Sequence, residues 1–518
     1  MAPTRRTSAL ALLAVAICSS VVHAALTATT LPTRLASVEA ALASATSKNT
    51  LLADLAAWVA IPSISALPAH APDVEAAAAW IAAHMKGLGL GNVTTLRQGP
   101  ASPAVLGEWL GAGGGAPTVL IYGHGDVQPA DAEAETWTSP PFTATVRDGA
   151  VYGRGASDDK GGALGALAAI GAWIKAGGGP PVNVKVYIEF QEEIGSPDMG
   201  GFLRQHGHLL GADLALSADG SQPGPEVGAV VAGLRGAAAF EIRVRALAGD
   251  VHSGSFGGSV ANAAHALAAV IAGLHDARGR VAMKGFYDGV AKPSRTDLAA
   301  IAAYEGSPFF DGPGELASLG ATAPVGEAGF STLARRWVRP TCDVVGSWSG
   351  FTGDGIKTIV PAAGVAKVAC RLVPGQAPDA ILRLARAHVQ RLSLPGVALE
   401  VVPLSFKATP YRLPPASPAA AAARAVLATL VASPDRVFTN WMGGSIPATA
   451  HFKAALGLDT ALLAFGLPTD RVHAPDEHHP LSQLGKAGLA YARVLAELAE
   501  PGVLAREART GGADKAEL

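Results

Sequence analysis

Two hydrophobic periods run along this chain. Val182, Val184, Val186, Ile188 and Phe190 alternate with their neighbours, a period of two that predicts a β-strand. Shorter apolar runs at 117–123 and 212–216 predict two more. Between them, Leu164, Leu167, Ile170 and Ile174 recur at helical spacing, predicting a helix over 161–176. Strand, helix and strand in succession argue for an α/β sheet. From about residue 233 the pattern changes. Phe240, Ile242 and Val244 alternate as a strand, a helix is predicted over 259–274, strands at 342–345 and 365–372, and a helix near 379–392. After Pro414 Ala-rich helices return, with a strand at 460–465, and no internal repeat is visible.

The 518 residues are enough for about three domains, or two large ones. An apolar content of 49% excludes a wholly disordered chain, and 16% charge excludes a long charged coiled coil. A net charge of −2 gives no reason to expect nucleic acid as partner. Past the N-terminus no stretch reaches the ~18 apolar residues of a membrane span, so no membrane partner is expected. Arg5 and Arg6, the apolar run from Ala9 to Cys18 and the small residue ending Val22-His23-Ala24 predict a cleaved secretory signal over 1–24, hence a secreted, periplasmic or secretory-pathway protein. Three Cys cannot build a disulfide scaffold. Export would permit a bond between Cys342 and Cys370, but spacing does not show that they meet. Asn92-Val93-Thr94 is a glycosylation sequon, meaningful only in a eukaryotic host.

Candidate chemistry lies at five places, several of them just after predicted strands, where open α/β sheets bind ligands. His124-Gly125-Asp126 puts two polar side chains on one face of extended chain. Asp158-Asp159-Lys160-Gly161 precedes the helix over 161–176, where a capping role is equally available. Glu192-Glu193 follows the Val182–Phe190 run, so one carboxylate could bind metal while its neighbour acts as a base. Asp219 precedes a glycine, as many turn residues do. His473 opens His-Ala-Pro-Asp-Glu-His-His. Each alone has an ordinary structural explanation; their order along one chain does not.

That order, with Tyr-Gly-His-Gly-Asp-Val-Gln-Pro at 122–129, Gly-Arg-Gly at 153–155, His-Ser-Gly-Ser-Phe-Gly-Gly-Ser at 252–259, Lys-Thr-Ile-Val-Pro at 357–361, Arg-Leu-Val-Pro at 371–374 and Gly-Gly-Ser-Ile-Pro at 443–447, resembles the M20 metallopeptidases. The resemblance is closest to their carnosinase-like, cytosolic nonspecific dipeptidase branch, and runs from about residue 50 to 495. Gly125 departs from it, since the branch usually carries a larger residue there. The resemblance implies a split catalytic α/β domain, 25–232 and 409–505, with a central sheet flanked by helices. An inserted α+β lid and dimerisation domain spans 233–408, and a loose tail 506–518. It implies a homodimer acting on small peptides.

By the same resemblance, two divalent metal ions per subunit are held by His124, Asp158, Glu193, Asp219 and His473, with Asp158 shared. Zinc is the expected metal, and manganese or cobalt would suit the same N and O donors. A metal-bridging hydroxide would attack the peptide bond, with Glu192 as general base and Asp126 orienting His124. His252 would reach the partner subunit's site and stabilise the oxyanion. Thr358, Arg371 and Ser445 would contact substrate, Arg371 through its terminal carboxylate. The alternatives are an M20 carboxypeptidase or N-acyl-amino-acid amidohydrolase with the same metal core, a catalytically silent peptide-binding homologue, and an α/β protein whose carboxylates coincide by chance.

Overall fold

The computed structural model describes residues 31–100, 102–130, 135–175 and 178–504. The expected signal over 1–24 and the tail over 506–518 lie outside the described residues. Among the described residues no helix is long and apolar enough to cross a membrane. The chain divides into two compact units. One comprises the chain up to Phe190, Leu210–Ser221 and the chain from Leu463; the other comprises Gln191–Leu209 and Gln222–Leu462.

The first unit is built on a mixed sheet, confirming the expected α/β class. Five of its strands run in the order Gly91–Arg97, Pro103–Trp109, Asn183–Glu189, Thr118–His124, Leu214–Ser217. The last three are mutually parallel, with His124 opposite Glu189 and Tyr122 opposite Ser217, so their carboxyl ends finish at one edge. The predicted strand at 182–190 is almost wholly buried on both faces, as a central strand between helices must be. The helix Lys160–Lys175 packs on the sheet and against Leu481–Glu497, where Gly165 lets the backbones approach: a Cβ there would stand 2.6 Å from that of Ala487. A small antiparallel sheet pairs His478–Pro480 with Ala150–Tyr152, and that strand with Thr145–Arg147. It ties the late His-rich segment to the loop that follows Tyr152.

The second unit contains a four-stranded antiparallel sheet in the order Thr341–Ser349, Ala363–Leu372, Gly236–Arg245, Ala398–Ala408. Phe240, Ile242, Val368 and Val401 pack under the helices Ala263–Ala272 and Pro378–Arg391 through Val270, Ile381 and Val389. The first of these helices starts at Ala263, four residues later than the predicted 259. Asn262 stops it there: its side-chain oxygen accepts the N–H groups of Ala264 and His265, fixing the N-cap. Cys342 and Cys370 are opposite each other on adjacent strands, buried, and joined by a disulfide. Gly228–Leu234 pairs in parallel with Val437–Met442 in a second, three-stranded sheet.

Candidate metal centre and active site

His124 ends its strand and Asp219 lies two residues beyond the end of the neighbouring one, so the sheet itself carries both to the same rim. Asp158 arrives from the loop before the helix Lys160–Lys175. His124, Asp158 and Asp219 each offer a ligand atom within 4.8 Å of the others. His124 Nδ1 lies 3.1 Å from the Asp126 carbonyl oxygen and its Nε2 3.0 Å from Asp158 Oδ1. With Nδ1–H donated to that carbonyl, the neutral ring presents its Nε2 lone pair to a carboxylate lone pair. A cation between them resolves that repulsion, so this donor set fits a divalent metal.

Asp158 also faces His473, whose Nε2 is 3.1 Å from Oδ2. Its two oxygens thus serve two different imidazoles. Burial pushes the Asp158 carboxyl up, but without a cation a proton on the facing nitrogen of His124 or His473 takes its place, and hydrogen bonding through it more than reverses the shift and holds the carboxyl well below the usual carboxylate range. The peptide bond Asp158–Asp159 is cis. Asp126 is fully buried, accepts from the Ser65 hydroxyl at 2.6 Å, and sits 3.5 Å from His124 Nδ1. Its main-chain carbonyl is therefore closer to His124 than its carboxylate is.

The Asp158 loop is held by groups to which the sequence reading assigns no role. Glu477, buried, accepts main-chain N–H bonds from Gly155, Ser157 and Asp158, and pairs with the buried Arg154 at 2.8 Å. Asp470 accepts from the Ser157 hydroxyl and from Leu467 N–H, and lies 3.3 Å from His479. Only the acidic content of 470–477 hinted at this. Glu189, at the end of its strand, is buried and accepts from Tyr122 and Gln98. Gly125 has no room for a larger residue: a Cβ would stand 2.6 Å from Phe190 and 2.8 Å from Trp58, whose rings already fill that space.

The remaining candidates lie in the second unit. Glu192 and Glu193 form a single 3-10 turn, Glu192–Ile194, just past the end of Asn183–Glu189. His252 is exposed on the short strand Val251–His252, which pairs with Ile359–Val360. Ser253 N–H donates to the Thr358 carbonyl, which brings Thr358 beside it. Arg371 is opposite Thr341 and Ala237 in the four-stranded sheet. Ser445 donates to the carbonyl of Arg235 at 2.6 Å, and Arg235 in turn lies in the field of Arg371. The candidates here thus form three sets, Glu192 with Glu193, His252 with Thr358, and Arg371 with Ser445 through Arg235.

Histidines and carboxylates gathered at the carboxyl rim of an α/β sheet are the donor set of a metal-dependent enzyme. The family described as peptidase family M20/M25/M40 matches residues 120–497, and the chain belongs to it. Metallopeptidases of this family use divalent metals, and His124, Asp158 and Asp219 form a candidate site for one. The chain is 31% identical to the Cys-Gly metallodipeptidase dug1 of Schizosaccharomyces pombe over 466 residues, 87% of this chain and 96% of the relative. It is 28% identical to the Beta-Ala-His dipeptidase of Rattus norvegicus, over 73% of this chain and 76% of that protein. The solved structure of the di-peptidase Dug1p from Saccharomyces cerevisiae superposes with a TM-score of 0.76 at 26% identity, covering 90% of this chain and 99% of that one. The chain is thus a metallopeptidase of the carnosinase-like branch, a hydrolase acting on peptide bonds.

Proposed function

We propose that this protein is an exported dipeptidase with two divalent metal sites, zinc being the metal expected to fill them. The observation that carries the reading is Asp158, whose two oxygens face His124 at 3.0 Å and His473 at 3.1 Å. His124 and Asp219 would complete one site around it, Glu193 and His473 the other. Cations held there would supply an activated water and polarise the scissile carbonyl. Glu192 takes the water's proton and returns it to the leaving amine. Asp126 fixes the His124 ring with Nε2 turned to the metal side. Arg371 receives the substrate's terminal carboxylate, and Thr358 and Ser445 orient the peptide. The names of the relatives support dipeptides as the substrate class.

His252, exposed at the start of a short turn, would stabilise the oxyanion from a partner subunit. The homodimer needed for this is supported by the edge strand Thr341–Ser349, which exposes Val345 and Trp348 by 66% and 47%. Residues 233–408 would act as the lid and dimerisation domain. Export is supported by the Arg5–Ala24 pattern and by the Cys342–Cys370 disulfide, since such bonds persist in oxidising compartments.

The decisive experiment strips the purified protein of metal, reloads it with zinc or manganese, and measures amino-acid release from dipeptides, N-acetyl-amino acids and longer peptides. Dipeptides should be cleaved only by reloaded protein, and Glu192→Gln should lose about 10²–10⁴-fold in kcat while binding the same metal. Cleavage of N-acetyl-amino acids alone would make it an amidohydrolase. No cleavage with both metals bound would favour a silent peptide-binding homologue.

A further inference from the structure

Within the second unit, a cavity of about 440 Å³ has walls that carry four guanidinium groups, those of Arg235, Arg335, Arg336 and Arg339. Two carboxylates, Glu327 and Asp343, line it with them. Arg339 spends its charge on Glu327, donating two bonds at 2.7 and 2.8 Å, and Arg280 approaches the same carboxylate at 3.6 Å. Arg336 also lines the cavity, and its 2.7 Å pair with Glu315 is half exposed, so solvent screens that pair and it holds the guanidinium only weakly. Arg235 and Arg335 are different. Arg235 donates to the carbonyls of Gly443 and Arg339, and Arg335 to those of Glu327 and Val325. Among the described residues neither has a carboxylate within ion-pairing distance. Two cations are thus fixed in place by neutral acceptors, their forks oriented and neither held in an ion pair, although the Asp343 carboxylate on the same wall acts on Arg235 from a distance.

Like charges confined in a partly dry cavity repel, and the cost is removed by an anion that several guanidinium groups can grip at once. Burial pushes the Arg235 guanidinium down to about 10, with Arg371 and Arg336 adding to the shift and Asp343 opposing it. Gly326 adds a structural sign. Its φ is +121° and a Cβ there would stand 3.1 Å from Arg335 Cδ, so a glycine leaves the Arg335 stem room to lie along the wall. We propose that this cavity is a binding site for a small multivalent oxyanion, a phosphate or polycarboxylate group, separate from the metal centre.

The test is isothermal titration of the full-length, metal-loaded protein with inorganic sulfate, chloride being adjusted to hold ionic strength constant. Saturable binding is expected, weakened at least tenfold in Arg335→Gln and in Arg336→Gln. Arg336 is half exposed, so its replacement keeps the proposal testable if Arg335→Gln does not fold. Binding should persist in His124→Ala. Arms with inorganic phosphate and tricarballylate then show which source the site prefers; tighter binding of either supports the proposal. Absence of saturable binding, unchanged affinity in both arginine variants, or loss in His124→Ala would overturn it. So would loss confined to Arg371→Gln, which would put the anion in the substrate pocket.

Discussion

Glu477 shows how much one side chain carries at this site. It is buried with Arg154 and takes three main-chain N–H bonds from the loop that presents Asp158. Truncation to Ala leaves a guanidinium buried without its partner, a loss of about 3–5 kcal/mol in a buried pair. Glu477→Ala should therefore be less stable by about that amount in urea denaturation, and should bind metal more weakly by calorimetry. His388 sets a pH dependence. It is buried, its Nε2 3.0 Å from the Gly273 carbonyl. Burial lowers its pKa despite that bond, so the unfolded chain binds the proton first as pH falls. Its contribution is thus complete above about 6.5, the unfolded value, and declines as pH falls toward the lower folded value. In His388→Gln, stability should change less steeply between about pH 5 and 7 than in the parent.

At the scale of elements, periodic strands and helices were legible and irregular ones were not. The helix predicted over 161–176 is Lys160–Lys175, and the 379–392 prediction is Pro378–Arg391. Gly91–Arg97 escaped because it is an edge strand with mostly exposed, polar positions. Ala398–Ala408 escaped because Pro403 and a register shift interrupt its alternation. The four-stranded sheet gains its covalent tie only from pairing: register makes Cys342 and Cys370 opposite neighbours, 28 residues apart in sequence. Closing a loop of that length restricts the unfolded chain, worth about 3–4 kcal/mol in the chain-entropy picture. The double variant Cys342→Ala/Cys370→Ala should lose about that much by calorimetric unfolding, and adding reductant to it should change nothing further.

At the scale of the molecule, the proposed dimer rests on the edge strand Thr341–Ser349. A register shift between Val344 and Gly346 leaves Val345 out of the pairing and exposed, and Trp348 on the same edge strand is exposed as well. Apolar side chains on an open sheet edge invite pairing with a second copy. Val345→Lys/Trp348→Glu should sediment as a monomer where the parent sediments as a dimer. If His252 acts across the interface, that monomer should lose activity by about 10²-fold or more while retaining metal. A fully active monomer would remove His252 from the mechanism.

Sequence by itself determined the α/β class and the M20 family, because hydrophobic period and the order of short motifs are local properties of the chain. It also singled out His124, Asp158 and Asp219, each marked by flanking glycines or a strand end. Tertiary structure decided what those residues meet. Asp158 faces His473 from 315 positions away, and Glu477 reaches back 319 to hold Asp158. Such pairings depend on strand register and loop path, which composition and periodicity do not encode. The same holds for the arginine-lined cavity, whose side chains are ordinary surface residues until the fold brings them to one wall.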